Sequence, residues 1–96
     1  MKNIYMVCYD IADSTRWRKI FKVMKGFGDP VQFSVFRCAL EPETYLLMVA
    51  ELKEHMNQAE DKVLIINVGP LNARGDQAIT ILGKRIKDVV RGPIIM

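Results

Sequence analysis

Residues 3–11 read NIYMVCYDI, an apolar stretch in which Asp10 is the one charged residue. Successive side chains of an extended chain point to opposite faces, and in this stretch both faces are apolar. One face carries Ile4, Met6 and Cys8, and the other carries Tyr5, Val7, Tyr9 and Ile11. The pattern predicts a strand that is covered on both sides.

A helix with one buried face is predicted to follow this strand. Asp13 or Ser14 can cap its N-terminus, and Gly26 and Gly28 mark its end. Its apolar residues recur at the spacing of a single helix face. They are Trp17, Ile20, Phe21 and Met24. The basic residues fall largely outside this stripe, so the helix offers a core face and a cationic face.

Residues 31–40 are rich in Val and Phe and predict two strands that meet at a turn near residues 34–37. A second helix is predicted to begin at Pro42, because the first helical turn tolerates proline. The apolar stripe of this helix is Tyr45, Met48, Val49, Leu52 and Met56.

A fourth strand is predicted over residues 63–68, again apolar on both faces, with a break at Gly69-Pro70. The order strand, helix, strand, strand, helix, strand is typical of an α+β, ferredoxin-like (βαββαβ) fold. In this fold both helices cover one face of an antiparallel sheet. In the tail, residues 79–82 predict a short strand or a helical turn, and residues 93–96 predict a C-terminal edge strand.

A length of 96 residues suits a single domain, residues 1–96. Its core is expected within about residues 2–70, and residues 71–96 are expected to form a tail for dimer or partner contacts. Because the helices cover only one sheet face, the apolar residues on the other face predict a twofold homodimer. The alternative is that the tail of the same chain covers that face.

The composition excludes several classes of protein. Hydrophobic residues make up 50% of the chain, which excludes a disordered one. The longest apolar run is far shorter than the roughly 20 residues of a membrane helix, so no membrane partner is expected. Two cysteines and one histidine exclude a disulfide framework and a multi-histidine metal site. Reduced thiols and the lack of an export signal predict a cytoplasmic location.

The charges are distributed unevenly along the chain. Between Ser14 and Gly26 every charged residue is basic, whereas the charged residues of the segment 41–61 are mainly acidic. The basic residues of the first helix are Arg16, Arg18, Lys19, Lys22 and Lys25. A basic face on a domain with a net charge of only +3 is typical of proteins that bind the phosphate backbone of DNA or RNA. The alternative is an ordinary solvated helix face.

Asp10 is the main candidate for chemistry. A carboxylate at the end of an apolar strand lies at the rim of the sheet, where ligands can reach it. If a twofold axis lies near this end, two copies of Asp10 face each other, and two carboxylates with water suit Mg²⁺ or Mn²⁺. Such a cation lowers the pKa of a bound water and stabilises charge on a phosphodiester. The alternative is a turn aspartate that binds backbone N–H groups.

Four stretches of the chain resemble a known family. They are Tyr9-Asp10-Ile11, the basic first helix, VQFSVF at residues 31–36 and DKVLII at residues 61–66. Together they resemble the small adaptation protein of CRISPR-Cas systems, whose members have an acidic residue before the fourth strand. The resemblance covers roughly residues 2–70.

The resemblance implies a ferredoxin-like homodimer in which Asp10 pairs across the twofold axis around a divalent metal. Asp10 would then be the catalytic and metal-binding residue of an endonuclease that acts on RNA or DNA, with Mg²⁺ or Mn²⁺ as cofactor. The resemblance also implies a subunit that binds duplex DNA and bridges the Cas integrase during spacer acquisition.

Further site residues follow from the charge pattern and from the resemblance. Ser34 and Phe36 match family positions at the rim near the metal. The residues expected to contact nucleic acid are Tyr9, Arg16, Arg18, Lys19, Lys22 and Arg37. Many family members have an arginine where this chain has Pro30, so that cation is either missing or replaced by Arg37.

Two alternatives from other classes share the ferredoxin-like fold. One is a VapD-like, toxin-type ribonuclease, and the other is a non-catalytic regulatory domain. The sequence has no Gly-rich effector loop, which argues against regulation by a small molecule.

Overall fold

Four strands form one sheet, and two helices pack against it. The computed structural model describes residues 1–72 and 77–84. Its elements are β1 (Asn3–Asp10), α1 (Ser14–Lys25), β2 (Asp29–Gln32), β3 (Val35–Leu40), α2 (Pro42–His55) and β4 (Lys62–Pro70). The strands lie in the order β2-β3-β1-β4, and every neighbouring pair is antiparallel. This arrangement confirms the α+β, ferredoxin-like fold.

The core lies between the sheet and both helices, which therefore cover the same face. Its buried side chains are Tyr5, Val7 and Tyr9 of β1, Trp17, Ile20, Phe21 and Met24 of α1, Phe36, Cys38 and Leu40 of β3, and Met48 and Leu52 of α2. Phe21 and Phe36 meet edge to face with ring centroids 5.2 Å apart, a preferred geometry for aromatic pairs. The predicted apolar stripe of α1 is confirmed in full.

The first helix begins as its local sequence predicts. The Asp13 carboxylate accepts a hydrogen bond from the Arg16 N–H at 2.9 Å, which is an N-cap. After Gly26 ends the helix, Gly28 lets the chain pass close to β3. A Cβ atom at position 28 would lie 2.4 Å from the Arg37 carbonyl oxygen, so only glycine fits there.

The turn between β2 and β3 lies earlier in the chain than predicted. It is formed by Phe33 and Ser34, and β3 already begins at Val35. The reason is tertiary packing. Phe36 is fully buried and pairs with Val7 of β1, so the core draws it into the strand.

The predicted break at Gly69-Pro70 is also wrong, because β4 continues through both residues. The pairing with β1 shifts at this point, where Tyr5 opposes Asn67 while Ile4 opposes Gly69. Gly69 has a φ of 123°, which favours glycine, and its N–H donates to the Asn67 Oδ1 at 3.0 Å. The pair therefore makes a bulge in β4.

The tail was predicted to contain two further elements. Residues 79–82 are irregular and form neither the short strand nor the helical turn. The edge strand predicted over residues 93–96 lies outside the described residues. Among the helices of the described ranges, none has the length and apolar character needed to cross a membrane.

We call the sheet face opposite the helices the open face. It carries the apolar side chains of Met6 and Cys8 of β1, Val35 and Ala39 of β3, and Leu64 and Ile66 of β4, together with the half-buried Arg37 of β3. Leu64 is 54% exposed and Ile66 is 48% exposed, whereas Ile4, at the far end of β1 on the same face, is fully buried. The exposed apolar part of the open face therefore adjoins the end of β1 that carries Asp10.

Candidate metal and nucleic-acid site

Asp10 is the last residue of β1, one residue before the predicted end of the strand. Its side chain is exposed. It follows Met6 and Cys8 in the alternation of the strand, so it lies on the open-face side of the sheet rim. A ligand or a second protein molecule on the open face can therefore reach its carboxylate.

Lys62 lies opposite Asp10 in the pairing of β1 with β4. Directly opposed residues of antiparallel strands share a face, so the exposed Lys62 brings a positive charge to the same rim. Lys62 is not among the site residues predicted from the sequence. Its position in the sequence was the available signal. Lys62 comes just before the apolar run of β4, and antiparallel pairing places the start of β4 opposite the end of β1.

The Asp61 side chain lies at the centre of a hydrogen-bonded cluster behind this rim. It is fully buried. Its Oδ1 accepts the Ala12 N–H at 2.9 Å and the Arg16 Nη2 at 3.2 Å. Its Oδ2 accepts the Arg16 Nε at 2.9 Å and the Asn57 N–H at 2.8 Å. The carboxylate thus joins the loop after β1, the first turn of α1 and the loop before β4.

Arg16 is held on the protein by this cluster. Its guanidinium forms a two-pronged contact with Asp61 and a further hydrogen bond to the Glu60 Oε1 at 3.0 Å, and its side chain is 25% exposed. Hydrogen bonding to Arg16 holds the pKa of Asp61 well below its usual range, and the same contact raises the pKa of Arg16. Both groups are therefore charged around neutral pH.

Tyr9 and Phe36 belong to the core. The Tyr9 hydroxyl donates to the Phe33 carbonyl oxygen at 2.8 Å, and its ring stacks on that of Phe36 with centroids 6.2 Å apart. Burial raises the pKa of Tyr9. Tyr9 is 6% exposed and Phe36 is fully buried, so the structure places both rings beneath the rim and not on a surface where a base can stack.

Ser34 flanks Asp10 through its backbone. The Tyr9 N–H donates to the Ser34 carbonyl oxygen at 3.0 Å, which holds the turn between β2 and β3 beside the residue before Asp10. Ser34 itself is half-buried. The structure thus brings Ser34 and Asp10 to one end of the sheet.

Three of the four exposed cations of α1 form a surface that we call the α1 cationic face. It consists of Arg18, Lys19 and Lys22, and the fourth exposed cation, Lys25, is the last residue of the helix. Because α1 follows β1 after a short loop, this face begins near the rim that carries Asp10 and extends away from it. No residue of α1 is acidic, so no carboxylate of the same helix offsets the positive charge of this face.

Arg37 stands farther from Asp10 than its expected role suggests. It is half-buried in β3, opposite Met6 of β1 and opposite Asp29 of β2. Asp10 lies four positions after Met6, which is roughly 13 Å along a strand. Pro30 lies in β2, an edge strand, where proline is tolerated.

Among the residues that the structure describes, one protomer brings a single available carboxylate to the rim. Across residues 1–72 and 77–84, no group of three His, Cys, Asp or Glu side chains could hold a metal ion. Asp13 caps α1 and Asp61 binds Arg16, so both are occupied, whereas Asp10 is exposed. A carboxylate oxygen is the type of ligand that Mg²⁺ and Mn²⁺ prefer. Asp10 therefore fits one half of a cation site shared by two protomers.

Comparison with known proteins identifies the family. The family model described as CRISPR associated protein Cas2 matches residues 3–73. The chain belongs to the Cas2 family. A relative from Geobacter sulfurreducens, named CRISPR-associated endoribonuclease Cas2, is 38% identical over 96 residues, which cover 100% of both chains. Another from Rhodospirillum rubrum, named CRISPR-associated endoribonuclease Cas2 1, is 39% identical over 99% of this chain and 92% of its own.

Solved structures show the same fold. The chain resembles a hypothetical protein from Thermus thermophilus with a TM-score of 0.66 and 31% identity, over 74% of this chain and 98% of that one. It resembles Streptococcus pyogenes Cas2 with a TM-score of 0.70 and 22% identity, over 83% of this chain and 99% of that one. Membership of the Cas2 family favours the CRISPR-associated interpretation over a toxin-type ribonuclease or a regulatory domain.

The buried Asp61 carboxylate predicts how stability depends on pH. Its pKa in the folded protein lies below the value of about 3.9 expected in the unfolded chain. Its contribution to the free energy of unfolding is therefore fully present above about pH 4 and is lost as the pH falls further. We expect Asp61→Asn to be less stable than the wild type at pH 7, and the difference to narrow between about pH 4 and pH 2 in urea unfolding.

Glu60→Gln is the matched control for this measurement. Glu60 contacts the same guanidinium but is 59% exposed. Its replacement should change the free energy of unfolding by less than about 1 kcal/mol at any pH. Parallel stability curves for Asp61→Asn and the wild type from pH 7 to pH 2 would contradict the role given to Asp61.

Proposed function

We propose that this Cas2-family protein is a homodimeric endonuclease dependent on Mg²⁺ or Mn²⁺, and a DNA-binding adaptation subunit. One observation supports the proposal above the others. The exposed apolar part of the open face adjoins the exposed carboxylate of Asp10. A second copy on this face would bury apolar surface and bring a second Asp10 toward the first.

The open face favours a second copy of the same chain as its cover. Leu64 and Ile66 are about half exposed, and Met6 and Cys8 between the neighbouring strands are half-buried. Burial of such side chains contributes roughly 25 cal/mol for each Å² removed from water. A twofold axis lets each copy cover the other with the same residues, which is the usual solution for homodimers.

The proposed chemistry divides between the two protomers. Each Asp10 would hold the shared cation with one carboxylate, and water would complete the coordination. When bound, the cation supplies an activated water and stabilises negative charge on a phosphodiester. Lys62, next to Asp10, attracts the phosphate of the substrate to the rim, and the turn at Ser34 lies on the other side of β1.

Nucleic acid is proposed to bind by its phosphate backbone. Arg18, Lys19 and Lys22 are exposed on α1, whereas Arg16 has its guanidinium bound to Asp61 and Glu60. Backbone contacts carry little sequence preference and weaken with salt. The relatives from Geobacter sulfurreducens and Rhodospirillum rubrum are both named endoribonucleases, which points to RNA. The adaptation role implies duplex DNA, so both RNA and DNA are substrates to test.

The adaptation role adds a protein partner and a location to the proposal. We propose that the dimer bridges copies of the Cas integrase while it holds the duplex. The free thiols of Cys8 and Cys38 fit a reducing cytoplasm. Co-purification of the full chain with the integrase tests this part, and an integrase that assembles on DNA equally well without this protein would argue against it.

The first prediction concerns Asp10. We expect Asp10→Ala to remain dimeric and to keep its affinity for duplex DNA, but to lose Mg²⁺-dependent cleavage by more than about 100-fold. The reason is that it loses a direct metal ligand, and changes to outer-shell partners alone cost 10–100-fold. Cleavage of RNA and of duplex DNA is measured with and without Mg²⁺.

Glu43→Ala is the control for Asp10→Ala. It removes one exposed carboxylate from the first turn of α2, which follows the end of β3 that pairs with the start of β1, and it should cleave like the wild type. Full cleavage by rigorously purified Asp10→Ala protein would show that Asp10 is not catalytic.

The second prediction concerns the dimer. We expect Ile66→Asp to dissociate, because a like-charged pair placed in an interface costs several kcal/mol. Light scattering after gel filtration measures the mass, and cleavage should fall with it because the two Asp10 residues separate. Leu47→Asp is the control, since Leu47 is 57% exposed on α2 and should leave a dimer. If both variants remain dimeric, the interface lies elsewhere.

The third prediction concerns the α1 cationic face. We expect the combined change Arg18→Ala and Lys22→Ala to weaken duplex binding and to reduce the log–log salt slope by about 2, since each phosphate contact contributes about 0.9. Lys53→Ala on α2 should leave the slope unchanged. A double variant with the wild-type slope would remove α1 from the binding surface.

A further inference from the structure

Two consecutive residues, Asp61 and the first residue of β4, Lys62, hold the chain at Asp10 and just after it. The backbone of Lys62 pairs with Asp10 itself. The side chain of Asp61 accepts the N–H of Ala12, two residues farther along, at 2.9 Å. The segment from Asp10 to Ala12 is therefore fixed at its strand end and at its loop end by the same short stretch of chain.

We propose that Asp61, oriented by Arg16, is a positioning residue that sets where the Asp10 carboxylate stands at the rim. The inference rests on the proposed function, because it assumes that Asp10 holds a cation. It extends that proposal by naming the residues of the chain that determine the geometry of each half of the site.

The hydrogen bonds around Asp61 support this role. Its carboxylate uses both oxygens, each of which accepts one N–H from the backbone and one from Arg16. The two-pronged guanidinium contact fixes the plane of the carboxylate. That plane determines where the Ala12 N–H must lie, and with it the direction in which the chain leaves Asp10.

The chemistry of the group explains why an aspartate is required. An ionised carboxylate accepts at both oxygens, whereas an asparagine amide accepts at one oxygen and donates at the nitrogen. Asparagine at position 61 would turn an N–H₂ group toward two donors. Either the Ala12 contact or the Asn57 contact would be lost, although the size of the side chain is unchanged.

A shared site makes this position critical. Ligands need placement within about 0.5 Å for productive binding. In the proposed dimer each protomer supplies one carboxylate, so a displaced rim affects both halves of the site. The buried location of Asp61, with no exposure of its side chain, keeps the cluster separate from substrate.

The test measures Mn²⁺ binding by electron paramagnetic resonance and cleavage over a range of Mn²⁺ concentrations. We expect Asp61→Asn to weaken Mn²⁺ binding about tenfold, the lower end of the range for outer-shell changes. Saturating Mn²⁺ should restore its cleavage, whereas it should not restore that of Asp10→Asn. Hydrogen exchange of the Ala12 amide or of the Asn57 amide should be faster in Asp61→Asn, because the asparagine side chain cannot accept from both.

Matched variants separate positioning from general stability. Glu60→Gln removes the exposed partner of the same guanidinium and should bind Mn²⁺ within twofold of the wild type. Leu52→Ala removes a buried side chain of α2 and destabilises the core. At a temperature where this variant is folded, it should also bind Mn²⁺ within twofold of the wild type. Arg16→Lys is the alternative test if Asp61→Asn does not fold. Lysine keeps the positive charge but cannot make the two-pronged contact with the Asp61 carboxylate, so this variant should also weaken Mn²⁺ binding.

The outcomes distinguish this inference from the proposed function. Wild-type protein that binds no Mn²⁺ would overturn the shared cation site and the inference together. Wild-type binding with an unchanged affinity in Asp61→Asn, or unchanged exchange of both the Ala12 and the Asn57 amides, would overturn the inference alone. Equal weakening in Leu52→Ala would also overturn it, because the loss would then follow from stability.

Discussion

The two-residue alternation of β1 is the constraint on which the rest of the structure depends. Tyr5, Val7 and Tyr9 are buried against the helices, so the residues between them must point to the open face. Asp10 is thereby placed on the open-face side at the very end of the strand. A shift of one residue would reverse both sets and turn the carboxylate toward the apolar core, at a prohibitive cost in solvation.

Local rules were sufficient for the features that depend on neighbouring residues. The apolar stripe of α1 follows from spacing, and the cap was predicted at Asp13 or Ser14; the structure shows the stripe and has Asp13 as the cap. The turn before β3 was misplaced because the core, and not the turn, determines where Phe36 lies. The contact between Arg16 and Asp61 joins residues 45 positions apart, so no local pattern could reveal it.

That contact also changes the meaning of the basic first helix. In the sequence, Arg16 and Arg18 are equivalent cations, but in the structure Arg16 is half-buried and Arg18 is exposed. Arg16 neutralises the fully buried carboxylate of Asp61, which would be costly to leave without a partner. Arg18 remains exposed, with Lys19 and Lys22 farther along α1. The electrostatic surface available to a phosphate backbone is therefore smaller than the sequence indicates, and one of its apparent members serves the fold.

Assembly and chemistry are coupled in the proposed dimer through charge. Each protomer brings one carboxylate, Asp10, and one ammonium group, Lys62, to the same rim. Two of each cancel, so a divalent cation gives the shared rim a net charge of about +2, which favours a phosphodiester anion. Without the cation, two carboxylates at close range would repel each other and oppose the dimer. The apolar part of the open face must therefore contribute enough stability to hold the protomers together before the cation binds.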